Sequence, residues 1–80
     1  MLYKSRVYLD MQARLVEHLR RLRDARGWTQ TEAATRLGMK VQQFQQIEAG
    51  TNNATMVTLA RVAEAFEVDI VELLAPLSKR

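Results

Sequence analysis

The run Thr29-Gln30-Thr31-Glu32-Ala33-Ala34-Thr35-Arg36-Leu37-Gly38-Met39-Lys40-Val41-Gln42-Gln43-Phe44-Gln45-Gln46-Ile47-Glu48-Ala49-Gly50 decides the fold. Its first four residues fit a capping box, in which the Thr29 hydroxyl and the Glu32 carboxylate satisfy each other's orphan backbone amides. Ala33, Ala34 and Leu37 then form the apolar side of a helix that Gly38 stops after two turns. A further helix begins within two or three residues. Phe44 and Ile47 make its buried stripe, Val41 stands beside them, and Gly50 closes it. Two short helices joined by a tight glycine turn are the centre of the chain.

Outward from that centre the pattern stays helical. Leu15, Leu19 and Leu22 recur at helical spacing, with Met11 one turn earlier and Ala25 one turn later. Asp10 is placed to cap this segment and Gly27 to stop it, which predicts a first helix over about residues 11–26. The stretch Leu2 to Leu9 reads two ways: Val7, Tyr8 and Leu9 favour a strand, and a backward extension of the first helix is the alternative. Downstream, Thr55 caps a fourth helix with Leu59, Val62, Ala63 and Phe66 inward, and Asp69-Ile70-Val71-Glu72 opens a fifth that Pro76 ends. No linker, repeat or low-complexity segment interrupts the order. The expected architecture is all-α, one domain of five helices, with residues 1–10 as an N-terminal arm or helix extension, 11–77 as the domain and 78–80 as a tail.

Composition bounds the function. Of the 80 residues 48 % are apolar and 26 % charged, the balance of a globular chain rather than a disordered one. A domain this small buries a low fraction of its surface, and without cysteine it has no disulfide to compensate, so burial against a partner is expected. No apolar run approaches the ~20 residues of a bilayer span. The opening Met1-Leu2-Tyr3-Lys4-Ser5-Arg6 lacks an apolar core for a secretory signal, and a cytoplasmic location is expected. Enzyme chemistry needs convergent groups. The one histidine, His18, reads as a surface or interface side chain of the first helix, and Ser5 and Ser78 sit near the ends. Neither a catalytic set, a metal site nor a cofactor site is expected. Charge is uneven: residues 1–27 carry seven Lys/Arg against three acids, residues 28–60 two of each, and residues 61–80 three against four. A basic end is compatible with nucleic acid or with an acidic partner.

The set Leu22-Arg23, Arg26-Gly27-Trp28-Thr29-Gln30, Ala34, Leu37-Gly38 and Ile47-Glu48-Ala49-Gly50, continued by Thr58-Leu59, Val62-Ala63, Phe66, Val68 and Leu73-Leu74, resembles the phage repressor/Cro-like (XRE-type) helix-turn-helix family over roughly residues 14–75. The resemblance implies a lambda-repressor-like DNA-binding domain. It also implies sequence-specific binding of double-stranded DNA by a homodimer, usually as a transcriptional regulator, with the third helix in the major groove. Arg23 and Glu48 occupy positions that pair in related proteins. Trp28 is larger than the family's usual leucine and Ala33 smaller than its usual aliphatic residue, so the indole is expected in the core, filling the volume Ala33 vacates.

On the third helix, Gln42 and Gln46 project opposite the Phe44/Ile47 stripe, with Gln43 and Gln45 on the flanks. Glutamine offers a donor and an acceptor together, which matches the N6/N7 edge of adenine. By analogy with the family, Gln42, Gln43 and Gln46 are the base-contact candidates and Gln30, at the first turn of the second helix, is a phosphate contact. Lys40 stands where a small hydroxyl residue usually caps the third helix. A cation there opposes the helix dipole, which suggests a phosphate contact; a neutral replacement is the alternative. Thr51, Asn52 and Asn53 offer further polar phosphate contacts, or ordinary turn chemistry. Val41 departs from a usually polar position and either packs inward or touches a thymine methyl.

Val57 and Val71 fall where the family usually carries polar residues, close to Leu74 and Leu77. An exposed apolar cluster marks an association surface, and these four are the expected dimer interface, with Leu74 central. The expected function is a dimeric repressor or autoregulator on a palindromic operator. The competing reading is an antitoxin-type protein-interaction module that masks a toxin while binding its own operator, with residues 1–10 as its arm. The near-neutral stretch 28–60 favours keeping both, because attraction to phosphates supplies most non-specific DNA affinity.

Overall fold

A computed structural model of the protein describes residues 5–77. Five helices follow in order: α1 (Arg6–Ala25), α2 (Gln30–Leu37), α3 (Val41–Glu48), α4 (Met56–Phe66) and α5 (Ile70–Leu73). The chain is all-helical, as its periodicity predicts, with no strand among the described residues. Residues 1–4 of the expected arm and the 78–80 tail lie outside them.

Four of the five helices start on a short polar side chain that takes an orphan amide. Thr29 Oγ1 accepts from Glu32 N at 3.0 Å while Glu32 Oε1 accepts from Thr29 N at 2.9 Å, a complete capping box. Thr55 accepts from Thr58 N at 3.1 Å and Asp69 from Val71 N at 2.9 Å. The exception is α3, whose N-cap, Lys40, makes no side-chain capping bond. At the turn between α2 and α3, Gly38 holds φ +71, a left-handed conformation that glycine adopts without a Cβ clash. There the Met39 amide returns to the Ala34 carbonyl.

α1 starts earlier than Asp10. Ser5 caps it, accepting from Tyr8 N at 3.1 Å, so the helical alternative for the stretch before Leu9 holds from Arg6 onward and the strand propensity of Val7, Tyr8 and Leu9 is overridden. The reason lies in the stripe. Tyr8 precedes Leu15 by seven residues, as Leu15 precedes Leu22, so the extension continues one packing face, and the Tyr8 hydroxyl donates to Asn53 Oδ1 across the domain.

The core is Leu15 and Leu19 from α1, Ala33, Ala34 and Leu37 from α2, Phe44 and Ile47 from α3, Val62 and Phe66 from α4, and Leu73 from α5. α1 packs on α3 and α5, α2 on α3 and α4, and α4 on α5. α5 is a single turn, Ile70–Leu73 capped by Leu74, and Pro76 stands two residues past the cap, where proline ends a helix; the Leu74 and Ala75 carbonyls accept from Arg14 and His18 of α1. Two expectations need correction. His18, expected as a surface or interface side chain, is buried within the domain: its Nε2 donates to the Ala75 carbonyl at 2.9 Å, and Nδ1 accepts from Arg21. Trp28, expected within the core, is half-buried and packs against it from the outside. Its ring meets Phe66 at 5.0 Å between centroids, and the Arg36 guanidinium covers the ring at 4.3 Å.

Candidate nucleic-acid interface

α3 reaches the surface along one face only. Phe44, Ile47 and Glu48 are buried and Val41 is half-buried against the core, so Val41 packs inward. Gln42, Gln43, Gln45 and Gln46 are all exposed. At about 100° per residue, Gln42 and Gln46 point furthest from the buried side, Gln43 lies on one flank and Gln45 on the flank nearer Val41 and Glu48. Lys40 is exposed at the helix start.

The root of α3 is ionic. The Glu48 carboxylate is nearly buried, and its Oε2 lies 2.8 Å from Arg23 Nε. Arg23 Nη1 also donates to the Trp28 carbonyl at 2.9 Å, tying the α1–α2 link to the same guanidinium. Glu48 Oε1 accepts from Gln30 Nε2 at 2.6 Å, and Gln30 Oε1 accepts from Gln45 Nε2 at 3.1 Å. A continuous polar chain therefore runs from α1 through the end of α3 to the start of α2 and back to the exposed flank of α3. Bonds to a charged group are the stronger kind, so this chain fixes how α2 and α3 sit on one another.

The loop after α3 is tied to both neighbours. The Thr51 hydroxyl donates to the Gln46 carbonyl at 3.2 Å, and Asn52 Nδ2 donates to Gln46 Oε1 at 3.4 Å. Asn53 accepts the Tyr8 hydroxyl. Gly50, at φ +76, comes close to α1: a Cβ there would stand 3.4 Å from Val16 Cγ2. Gln30, Gln42, Gln43, Gln46, Thr51, Asn52 and Asn53 thus belong to α3 or to segments hydrogen-bonded to it or to residues packed with it. Tyr8 and Gln45 are the participants that sequence reasoning missed. Tyr8 was signalled by its seven-residue spacing to Leu15; nothing local signalled the Gln45 bond, whose partner Gln30 is 15 residues away and is itself bonded to Glu48, 18 residues further along the chain from Gln30.

The four apolar residues expected at a dimer interface are less uniform. Val57 and Val71 are 63 % and 70 % exposed, and Leu77 is marginally so. Leu74 is half-buried and lines an apolar hollow with Tyr8, Met11, Leu15 and Leu59, whereas Leu77 borders a separate hollow with Glu17, His18 and Arg21. Among the described residues, no group of three or more His, Cys, Asp or Glu side chains is arranged to hold a metal ion, and no helix is long and apolar enough to cross a membrane.

Comparison with known proteins places this geometry. A family model described as a helix-turn-helix domain matches residues 14–77. An uncharacterized HTH-type transcriptional regulator of Sinorhizobium fredii, y4dJ, is 37 % identical over 68 residues, covering 85 % of this chain and 88 % of the relative. Among solved structures, the hypothetical transcription factor NHTF from Neisseria superposes with a TM-score of 0.81 at 28 % identity, covering 85 % of this chain and 76 % of that one.

Proposed function

Because the chain belongs to the helix-turn-helix domain family of transcriptional regulators, we propose that it binds double-stranded DNA as a homodimer, with α3 in the major groove, and represses transcription from a palindromic operator. The observation that carries this reading is the exposed glutamine row of α3, held on a helix whose other face is anchored by Phe44, Ile47 and the Arg23–Glu48 pair. Gln42, Gln43 and Gln46 read base edges in this proposal, while Gln30, Lys40, Thr51, Asn52 and Asn53 hold phosphates and so set register without reading sequence. Residues 11–77 form the DNA-binding unit and residues 5–10 extend its first helix. A cytoplasmic location accompanies this role.

Dimerisation through α4 and α5, centred on Leu74, is part of the same proposal. It places two reading helices in successive major grooves, about 34 Å apart. Selection of bound fragments from a random DNA pool tests the function directly. Two related half-sites in inverted orientation are expected; a pool with no enrichment overturns it.

A second reading is favoured by one observation: Val7 and Leu9, on the part of α1 that precedes the matched family region, are exposed. They would give an antitoxin-type module a surface for a toxin. Stoichiometric recovery of a protein encoded next to it supports that role, and operator binding unaffected by Val7→Ser and Leu9→Ser keeps the two functions apart.

A further inference from the structure

The polar chain beneath α3 has a direction. Glu48, paired with Arg23, only accepts hydrogen bonds, so the Gln30 carboxamide must turn its NH2 group to Glu48, 2.6 Å away. That leaves the Gln30 carbonyl oxygen facing Gln45, which must present its own NH2 group to it, at 3.1 Å. One buried acid thus sets which way two successive side-chain amides point, although Gln45 is exposed and Gln30 only half-buried. An NH2 group carries two hydrogens. After these bonds each of the two carboxamides retains one N–H, with no other side-chain or backbone partner among the described residues.

Two neighbouring donors on adjacent helices, with a fixed orientation and no net charge, suit an acceptor that takes several hydrogen bonds at one oxygen. A DNA backbone phosphate is such an acceptor. Resting on the DNA-binding reading above, we propose that Gln30 and Gln45 act as one clamp that donates two N–H bonds to a single phosphate, with Gln45 a phosphate-contact residue and Glu48 the positioning residue that orients both. The clamp supplies phosphate affinity in a stretch whose two cations and two acids cancel. It also separates the glutamines of α3 by role: Gln42 and Gln46 on the outermost line face bases, and Gln45 on the flank toward Gln30 faces the backbone.

The test uses the full chain and the duplex selected from the random pool, with a second set of duplexes in which single phosphates are replaced one at a time by uncharged methylphosphonates. Gln45→Ala should bind the selected and a scrambled duplex about tenfold more weakly each, with an unchanged melting temperature. Gln45→Glu, which cannot donate to Gln30 and repels the phosphate, should bind more weakly still. At one phosphate per half-site the methylphosphonate should weaken the wild type and make little further difference to Gln45→Ala. Binding by Gln45→Ala equal to wild type, or a loss confined to the selected duplex, overturns the clamp while leaving DNA binding intact. A wild-type protein that binds no duplex removes the DNA-binding reading and the clamp with it.

Discussion

Glu48 at the end of α3 and Arg23 on α1 meet at 2.8 Å, with side chains only 4 % and 17 % exposed, and the same carboxylate also receives Gln30. A pair this enclosed cannot lose one member to solvent. Removing Arg23 leaves the buried Glu48 carboxylate without its cation, and removing Glu48 leaves Arg23 only the exposed Asp24 at 3.8 Å, so Arg23→Ala should cost about 3–5 kcal/mol, a large share of a small domain's stability, and Glu48→Ala should cost somewhat less. Replacing both at once, as Arg23→Met with Glu48→Leu, should recover most of that loss. Urea titrations of the three variants measure it. Single variants within about 0.5 kcal/mol of wild type would show that the pair is not a determinant of stability.

Glu67 closes α4 in a left-handed conformation, φ +57, the one non-glycine residue among those described with positive φ. Its amide and that of Val68 return to the Glu64 and Ala63 carbonyls, so the geometry is imposed by the helix end. An L side chain there is strained by about 1–2 kcal/mol, part of which glycine gives back through its more disordered unfolded state. Glu67→Gly should therefore raise stability by about 0.5–1 kcal/mol, and a lowered melting temperature would contradict it.

Reading and holding should separate in titrations. If Gln42 makes a two-bond contact to adenine, Gln42→Ala should cost about 1–3 kcal/mol on the selected site and relax preference at one position per half-site, with the salt dependence unchanged. Lys40→Ala should weaken all sequences alike and reduce the slope of log K against log salt by about 1–2 per dimer. An equal loss for Gln42→Ala on selected and scrambled duplexes would move Gln42 from reading to holding.

Val71 and Val57 project into solvent, so charging them tests the interface without disturbing the core. Val71→Glu and Val57→Glu should retain wild-type helicity and sediment as monomers at micromolar concentration. Dimers that persist in both variants would place the interface elsewhere, with the exposed Val7 and Leu9 of α1 the next surface to examine.

The sequence by itself determined what local chemistry decides. Thr29 and Glu32, Thr55, Asp69 and Gly38 act on amides within five residues of themselves, so the starts of α2, α4 and α5 and the turn before α3 were legible from spacing alone. The Phe44/Ile47 stripe likewise defined which side of α3 could face outward, because the helical period ties orientation to position. Tertiary structure decided the rest, since it depends on partners distant in the chain. α1 begins at Arg6 in a stretch of strand-favouring residues, where Tyr8 finds Asn53, 45 residues on. His18 is buried where the segment after α5 brings it the Ala75 carbonyl, 57 residues away. Trp28 is half-buried against Phe66 of α4 with Arg36 of α2 over its ring, contacts that spacing along the chain does not reveal. Four glutamines look alike as letters; the acceptor-only carboxylate of Glu48, reached through Gln30, sets Gln45 apart from the other three.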